Sequence, residues 1–318
     1  IDRPEKYDGL VASSLLNLAD LMALWGSQCP PALVYFHENQ LTYPEAPDDR
    51  QDLQPGFTNI TTALAARRIL FNSRVHRQAF LSALPELIRA MPDYRPKWIV
   101  PAIAAKSAVA YPGCHFPASL ALKQKDPVGS PLIIWNHRWE HDKNPEAFFC
   151  ALQKLMDGDI DFQVALLGEA YRRMPRVFEQ APRLLGRRLV QFGHVPSRQD
   201  YFEWLARGDV VVSTAAQENF GIAVVEAIRH GCLPLLPDRL SYPEILPGKF
   251  HAECIYTNQR ELENKLIRLL TCRNGCEDRR RELATAMGRY AWHHRIHQFD
   301  EELAQLAADA AVPLPSAT

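Results

Sequence analysis

Short apolar runs alternate along the chain with stretches spaced like helices. In the N-terminal part "LVASS", "ALVYFH", "RILFN" and "WIV" read as strands, with helices over Leu16 to Leu24, Thr58 to Arg67 and Val75 to Arg89. Further on, "LIIWN", "FQVALLG", "LVQFG", "DVVVST", "LPLLP" and "ECIY" read as strands, each followed by a helical stretch. This alternation is the signature of α/β architecture with parallel sheets, and six strands fit a doubly wound sheet. From Glu261 the residues Leu262, Leu266, Leu269 and Leu270 share one helical face, and Leu283, Met287 and Tyr290 continue a helical pattern toward Leu303.

The polar stretch "ALKQKDPVGSP", Ala121 to Pro131, separates the two regular patterns and reads as a linker. The expected organisation is an N-terminal Rossmann-like domain over 1–125, a second over 126–290, and a helix with its tail over 291–318 that crosses back onto the first. The chain opens almost at once into a strand, and four strands make a thin sheet. One or two βα units are therefore expected to precede Ile1.

Composition narrows the classes. At 318 residues, with 47% apolar and 23% charged residues, the chain is long for one core and has little room for extended disorder. A formal net charge of -1 argues against a protein held to nucleic acid by bulk charge, although it leaves room for a local basic patch. The seven cysteines are scattered, read as reduced thiols, and point to the cytoplasm. The close pair in "CRNGC" reads as a helix-helix turn rather than a metal site. No apolar run is long enough to span a membrane, and the start is not a signal peptide.

Ligands of open parallel sheets bind where strands end and loops enter helices, so residues there carry most weight. After "VVVST", the stretch "QENFGIAVVE" places Glu218 in a loop and Gly221 where the backbone can approach a ligand. The helix beginning near Phe220 offers unpaired amides to an anion, and Glu226 lies inside it. The competing reading is a cap at Glu218 and a solvated helical position at Glu226. In "IIWNHRWEHDKNPEAF", Asn144 and Pro145 start a helix, which puts Arg138 and Lys143 in the preceding loop. Those two cations fit a diphosphate; their rival is a local cluster with Glu140, Asp142 and Glu146. "YFHENQLTYP" ends a strand on His37, followed by Glu38, Asn39, Gln40 and Tyr43, a mixture suited to a hydroxyl-rich ligand, although a lone histidine is more often structural. Glu169 and His194 stand at two more strand exits, "LLGE" and "FGHVPS", that fit the wall of a nucleotide base and ribose or ordinary turns. The chain has no P-loop, G-x-S-x-G elbow, H-E-x-x-H helix or complete G-x-G-x-x-G after a strand, so hydride transfer and ATP hydrolysis lose ground.

Together, the R-x4-K loop and the E-x7-E element around "NFG" resemble retaining glycosyltransferases of the family-four type, with two Rossmann-like domains facing a cleft, the GT-B fold. "VYFHENQLTYP", "FTNITTALAARRILFNSRVHRQAFL" and "WNHRWEHDKNPEAFF" further resemble the tRNA-queuosine α-mannosyltransferase family. That resemblance implies GDP-mannose as donor, no cofactor or metal, and the cyclopentene-diol of queuosine in tRNA(Asp) as acceptor. It implies Arg138 and Lys143 on the donor diphosphate, assisted by the amides of Asn219, Phe220 and Gly221. Glu218 would bind hydroxyls of the transferred sugar, Glu226 the ribose, and His37 would approach the donor sugar. Glu38, Asn39, Gln40 and Tyr43 would orient the acceptor. The family pattern also has a glycine-containing first strand-loop, expected ahead of Ile1. Retention without an obvious carboxylate nucleophile implies front-face displacement. Two clusters are candidate tRNA contacts, one of Arg67, Arg68, Arg74, His76 and Arg77, the other of Arg279 to Arg281, Arg289, His293, His294 and Arg295. Solvated helix faces are the competing reading for both. A lipid or small-molecule acceptor, a non-catalytic nucleic-acid-binding module and a sugar-nucleotide epimerase stay open as alternatives.

Overall fold

Strand β2 (Ala32–Phe36) is buried along its whole length, and the first sheet is built around it. The computed structural model describes residues 6–42, 53–117, 122–125, 128–170, 174–273 and 275–310. The chain divides into two compact units, Ile1–Gly113 with His293–Thr318, and Cys114–Trp292. In the first, β1 (Leu10–Ser13), β2, β3 (Arg68–Phe71) and β4 (Ser107–Val109) pair in that order, parallel throughout. They are joined by α1 (Leu18–Trp25), α2 (Gln54–Ala65), α3 (Arg74–Ala90) and α4 (Ile99–Ala105).

Successive side chains of a strand point to opposite faces, and β2 is apolar on both. Val34 and Phe36 pack with Ile60, Phe71 and Phe80 on one side. Leu33 and Tyr35 pack with Leu70, Ala110 and Leu306 on the other. Leu306 comes from the C-terminal helix Trp292–Ala310, which is tied to this sheet by a bond from Gln298 Nε2 to the Val109 carbonyl (2.6 Å) and by the Arg68–Glu302 ion pair.

The expected strand "WIV" is helical. Ile99 and Ile103 are buried four residues apart in α4, so the run faces the core with helical spacing. The fourth strand is the three-residue "SAV" of β4, half-buried and too short to announce itself. "ECIY" is strand only at Ile255–Tyr256, because Glu253 and Cys254 close a helical turn.

The second unit contains β5 (Leu132–Trp135), β6 (Gln163–Leu166), β7 (Leu189–Phe192), β8 (Val210–Val212), β9 (Leu233–Pro237) and β10 (Ile255–Tyr256). Their helices are α5 (Pro145–Asp157), α6 (Arg176–Leu185), α7 (Arg198–Arg207), α8 (Ile222–Arg229), α9 (Tyr242–Ile245), α10 (His251–Cys254), α11 (Gln259–Thr271) and α12 (Glu277–Met287). The strand order is β10-β9-β8-β5-β6-β7, all parallel, which is the doubly wound order with its reversal between β5 and β8. Right-handed crossovers leave these two neighbours in opposite directions, which puts the switch point of the sheet at their carboxyl ends.

Several members of the two expected basic clusters are engaged by the fold. His76 is buried, Arg77 bonds Ser107 Oγ (2.9 Å) and the Ala104 carbonyl (3.2 Å), and Arg68 pairs with Glu302. Buried Arg280 bonds the carbonyls of Asp209 (2.8 Å) and Gly231 (2.7 Å), Arg279 pairs with Glu253, and Arg289 bonds the Ile245 carbonyl (2.7 Å). Arg74, Arg281, Arg289, His293 and His294 stay exposed. Lys125, in the expected linker, donates to the carbonyls of Ala206 and Gly208, both at 2.6 Å, and so packs into the second unit. The segment between Cys272 and Cys276 connects α11 to α12.

Candidate active site

The exits of β5 and β8 are knitted to each other. After β5 the chain makes a tight turn at His141–Lys143, passes Asn144 in the left-handed conformation (φ 47) and enters α5 at Pro145. The helix starts where the Asn-Pro pair predicts, but Asn144 acts through its backbone and makes no side-chain cap bond. From the β8 side, the amides of Ala216 and Gln217 donate to the Asp142 carbonyl at 2.7 and 3.2 Å, and Thr214 Oγ1 donates to the Lys143 carbonyl at 2.9 Å. The β8 exit is itself backed by Ser241 Oγ on the Phe220 carbonyl (2.8 Å) and by Arg239 Nε on the Ala215 carbonyl (3.0 Å).

Lys143 is the centre of this knot. It is 6% exposed, and its Nζ donates to the Gln217 carbonyl at 2.6 Å. Asp142 Oδ2 lies 3.1 Å away and Glu218 Oε2 3.7 Å away. Burying an ammonium is costly unless its charge and donors are met, and here two carboxylates and a carbonyl meet them. The Asp142 carboxylate oxygens make the ion pair but no hydrogen bond. Arg138, from the same loop, is half-exposed and pairs with Glu140 at 3.3 Å; with the Lys143–Asp142 pair this makes two of the contacts of the local cluster expected as a rival.

Gly221 caps α8 with φ 96 and ψ 49, a conformation that disfavours other residues. A Cβ there would also stand 3.3 Å from Tyr242 Cε1. Behind it the first amides of α8 have no partner within the helix and sit at its positive end, beside the Lys143 cation. The Phe220 amide turns to Glu218 Oε1 at 3.4 Å, so Glu218 faces both the helix start and the lysine. Asn219 accepts from Gln217 Nε2 at 3.3 Å, and the Phe220 ring meets Tyr290 edge-on at 5.1 Å.

Glu226, one turn into α8, is held through both carboxylate oxygens: Tyr201 Oη donates to Oε2 at 3.4 Å, and Arg198 lies 3.5 Å from Oε1. Burial pushes its carboxyl up to about 7, while Arg198 and the Tyr201 hydrogen bond pull the other way. Tyr201 in turn accepts from Asn136 Nδ2 at 2.9 Å, and the same amide group donates to the Ala223 carbonyl at 2.8 Å.

His137 sits in the β5 exit with its imidazole held down to about 3, first by burial and then by the Lys143 charge. Its Nε2 is buried without a hydrogen-bond partner. Gly168 is required beside it, because a Cβ there would stand 2.1 Å from the His137 carbonyl oxygen. Glu169 and His194, at the exits of β6 and β7, are exposed and 3.9 Å apart, and the Glu169 carbonyl accepts from the Trp139 amide at 2.9 Å.

Sequence reasoning passed over Asn136, His137, Arg198 and Tyr201. The first two lie in the quoted "WNHRW", immediately past the strand. Arg198 and Tyr201 are three apart on α7, a spacing that places both on one helix face, but nothing in the sequence says which carboxylate they face.

In the first unit His37 is exposed just beyond β2, its ring edge-on to Tyr35 at 4.6 Å, and partial burial lowers its imidazole pKa. The His37 carbonyl accepts from Asn72 Nδ2 at 2.8 Å. Asn39 is fully buried, and its Oδ1 accepts from the Leu41 and Thr42 amides at 3.1 and 3.0 Å, so its side chain folds the loop onto itself. Glu38 and Gln40 pair at 3.4 Å, and the Gln40 amide donates to Asn59 Oδ1 at 2.7 Å. Tyr43 lies outside the described residues. Among those described, no group of three or more His, Cys, Asp or Glu side chains is placed to hold a metal ion, and no helix is long and apolar enough to cross a membrane.

Residues 1–114 match the family model described as tRNA-queuosine alpha-mannosyltransferase N-terminal, and residues 121–294 match that of glycosyl transferases group 1. A tRNA-queuosine alpha-mannosyltransferase of Drosophila melanogaster is 38% identical over 275 residues, covering 84% of this chain and 72% of the relative. Among solved structures, sucrose-phosphate synthase from Thermosynechococcus elongatus superposes with a TM-score of 0.72 at 16% identity, covering 96% of this chain and 75% of that one. The Anabaena protein HepE in complex with UDP gives 0.69 at 17% identity, covering 96% and 80%. These structural likenesses show the fold, two Rossmann-like units of the GT-B class. By its domains and its relative, the chain is a glycosyltransferase that belongs to the tRNA-queuosine alpha-mannosyltransferase family.

Proposed function

We propose that this enzyme transfers mannose from GDP-mannose, with retention and without a metal, to the cyclopentene-diol of queuosine in tRNA(Asp), in the cytoplasm. The observation that carries the donor half is Lys143, a buried cation at the switch point of a doubly wound sheet, next to the amino end of α8. Lys143 and Arg138 take the diphosphate together with the amides of Asn219, Phe220 and Gly221. Glu218 holds hydroxyls of the sugar, Glu226 the ribose, and Glu169 and His194 border the nucleoside. His37 approaches the donor sugar, and Glu38, Gln40 and Tyr43 serve the acceptor; Asn39 shapes their loop.

The family supports the acceptor half, and seven free cysteines fit a reducing compartment. Chemically, the departing diphosphate oxygen takes the proton of the acceptor hydroxyl as the glycosidic bond breaks and the new bond forms on the same face. The protein holds the partners in line and neutralises the leaving charge.

The test is a panel of nucleotide sugars offered to tRNA with and without queuosine, read by nucleoside mass spectrometry. Transfer from GDP-mannose to queuosine-bearing tRNA alone supports the proposal. Transfer from another donor, or to tRNA lacking queuosine, rejects it.

A further inference from the structure

The Glu226 carboxylate is set from a neighbouring helix. Its Oε2 is held by Tyr201 and its Oε1 by Arg198, both on α7. Arg198 is itself fixed elsewhere: its guanidinium donates to the His115 carbonyl at 3.2 Å and lies 5.2 Å from the centre of the Phe202 ring. His115 follows Cys114, whose amide and carbonyl bond the Tyr290 carbonyl (2.7 Å) and the Trp292 amide (2.8 Å). The guanidinium is therefore braced against the segment by which the chain enters the second unit.

From this geometry we infer that Arg198 is a positioning residue for the donor nucleoside: it favours the ionised form of the Glu226 carboxylate and aims it so that it can accept hydrogen bonds from a ribose diol. The inference rests on the ribose role proposed for Glu226. A carboxylate accepts two hydroxyl hydrogen bonds, whereas a neutral carboxyl must use one oxygen as a donor. An adjacent guanidinium favours the first state. The other titratable groups facing this carboxylate are Tyr201 and Cys114, which burial keeps neutral, the thiol being pushed up to about 12. His230, one turn further on, bonds the Glu226 carbonyl rather than its carboxylate and is likewise kept neutral by burial. Arg198 is then the only cation among the described groups in ion-pair contact with Glu226.

The experiment is calorimetric titration of GDP into the parent enzyme, Arg198→Ala, Arg198→Lys and Glu226→Gln between about pH 5.5 and about pH 9, with thermal unfolding of each without ligand. Arg198→Ala should bind GDP about tenfold more weakly near neutrality, the loss shrinking toward the alkaline end where Glu226 ionises unaided, and Arg198→Lys should recover part of it. Without ligand, Arg198→Ala should lose more thermal stability at the alkaline end than at the acid end. An unchanged GDP profile, or a loss that is the same at every pH, overturns the inference, the second because it marks a purely structural arginine. If Glu226→Gln binds GDP with the parent's affinity and pH profile, the ribose role of Glu226 itself fails. A failure confined to Arg198→Ala leaves that role standing.

Discussion

Lys143 Nζ donates to the Gln217 carbonyl at 2.6 Å, and this bond joins the exit of β5 to the exit of β8 across the switch point of the sheet. One ammonium thus closes the loop pair and lies near the amino end of α8, which begins at Ile222. Structural and chemical duties fall on the same side chain.

Replacing Lys143 by alanine should lower turnover by a factor of about 10² to 10³, the usual loss when a group neutralising transition-state charge is removed. The structure adds a cost of about 1–3 kcal/mol, because the Gln217 carbonyl and two carboxylates lose their partner. Single-turnover rates together with a thermal melt separate the two effects. Parent-like turnover in a folded variant rejects the assignment.

Glu218→Ala should act on the sugar and not on the nucleotide. Its carboxylate lies 3.7 Å from Lys143 Nζ and competes with an incoming diphosphate for that charge. GDP affinity should stay level or rise, while kcat/KM for the sugar nucleotide falls by about 10- to 100-fold. Equal loss for GDP and for the sugar nucleotide would instead place Glu218 at the diphosphate.

Stability should depend on pH through Glu226. Its folded-state carboxyl stands at about 7, above the ordinary value of 4.5. The folded state therefore binds the proton more tightly than the unfolded chain, and the stability it contributes is present below pH 4.5 and lost as pH rises through about 7. Glu226→Gln keeps the neutral shape at every pH. Its melting temperature should match the parent's in acid and exceed it by pH 8, by an amount corresponding to at most about 3 kcal/mol. Parallel curves across that range would contradict the shift.

Gly168→Ala should disturb the site without touching a charged group. Its Cβ would stand 2.1 Å from the His137 carbonyl oxygen and 3.1 Å from Trp139 Nε1, so the β5 exit must move. A melting temperature several degrees lower and weaker GDP binding are expected together. Unchanged binding would show that the β5 exit yields without consequence for the donor.

Strand order could not be read from sequence, yet strand exits could. The apolar runs of β2, β5 and β8 are wholly buried and end abruptly at polar loops, which is why His37, Arg138, Lys143 and Glu218 stood out. "WIV" misled because three apolar residues carry no period, and only packing shows that Ile99 and Ile103 face the core as a helix does. Some members of the basic clusters hold structural partners for a related reason. Arg280 and Arg77 spend their guanidinium groups on backbone carbonyls and a serine contributed by distant segments, partners that local composition does not reveal. Asn39 looked like a ligand group and is a loop staple, since a short amide side chain bonds the amides just ahead of it at a turn. The Arg198 and Tyr201 contacts with Glu226 arise only when α7 packs beside α8, and no spacing along the chain encodes them.

The donor site is tested most directly by titrating GDP, with no sugar and no tRNA, into the parent enzyme and Lys143→Ala at neutral pH, using circular dichroism to verify that both are folded. The expected result is clear binding by the parent and affinity at least about 100-fold weaker in the variant. Equal affinity in the two proteins would mean that the diphosphate does not meet Lys143, and that the switch point between β5 and β8 is not where the donor is held.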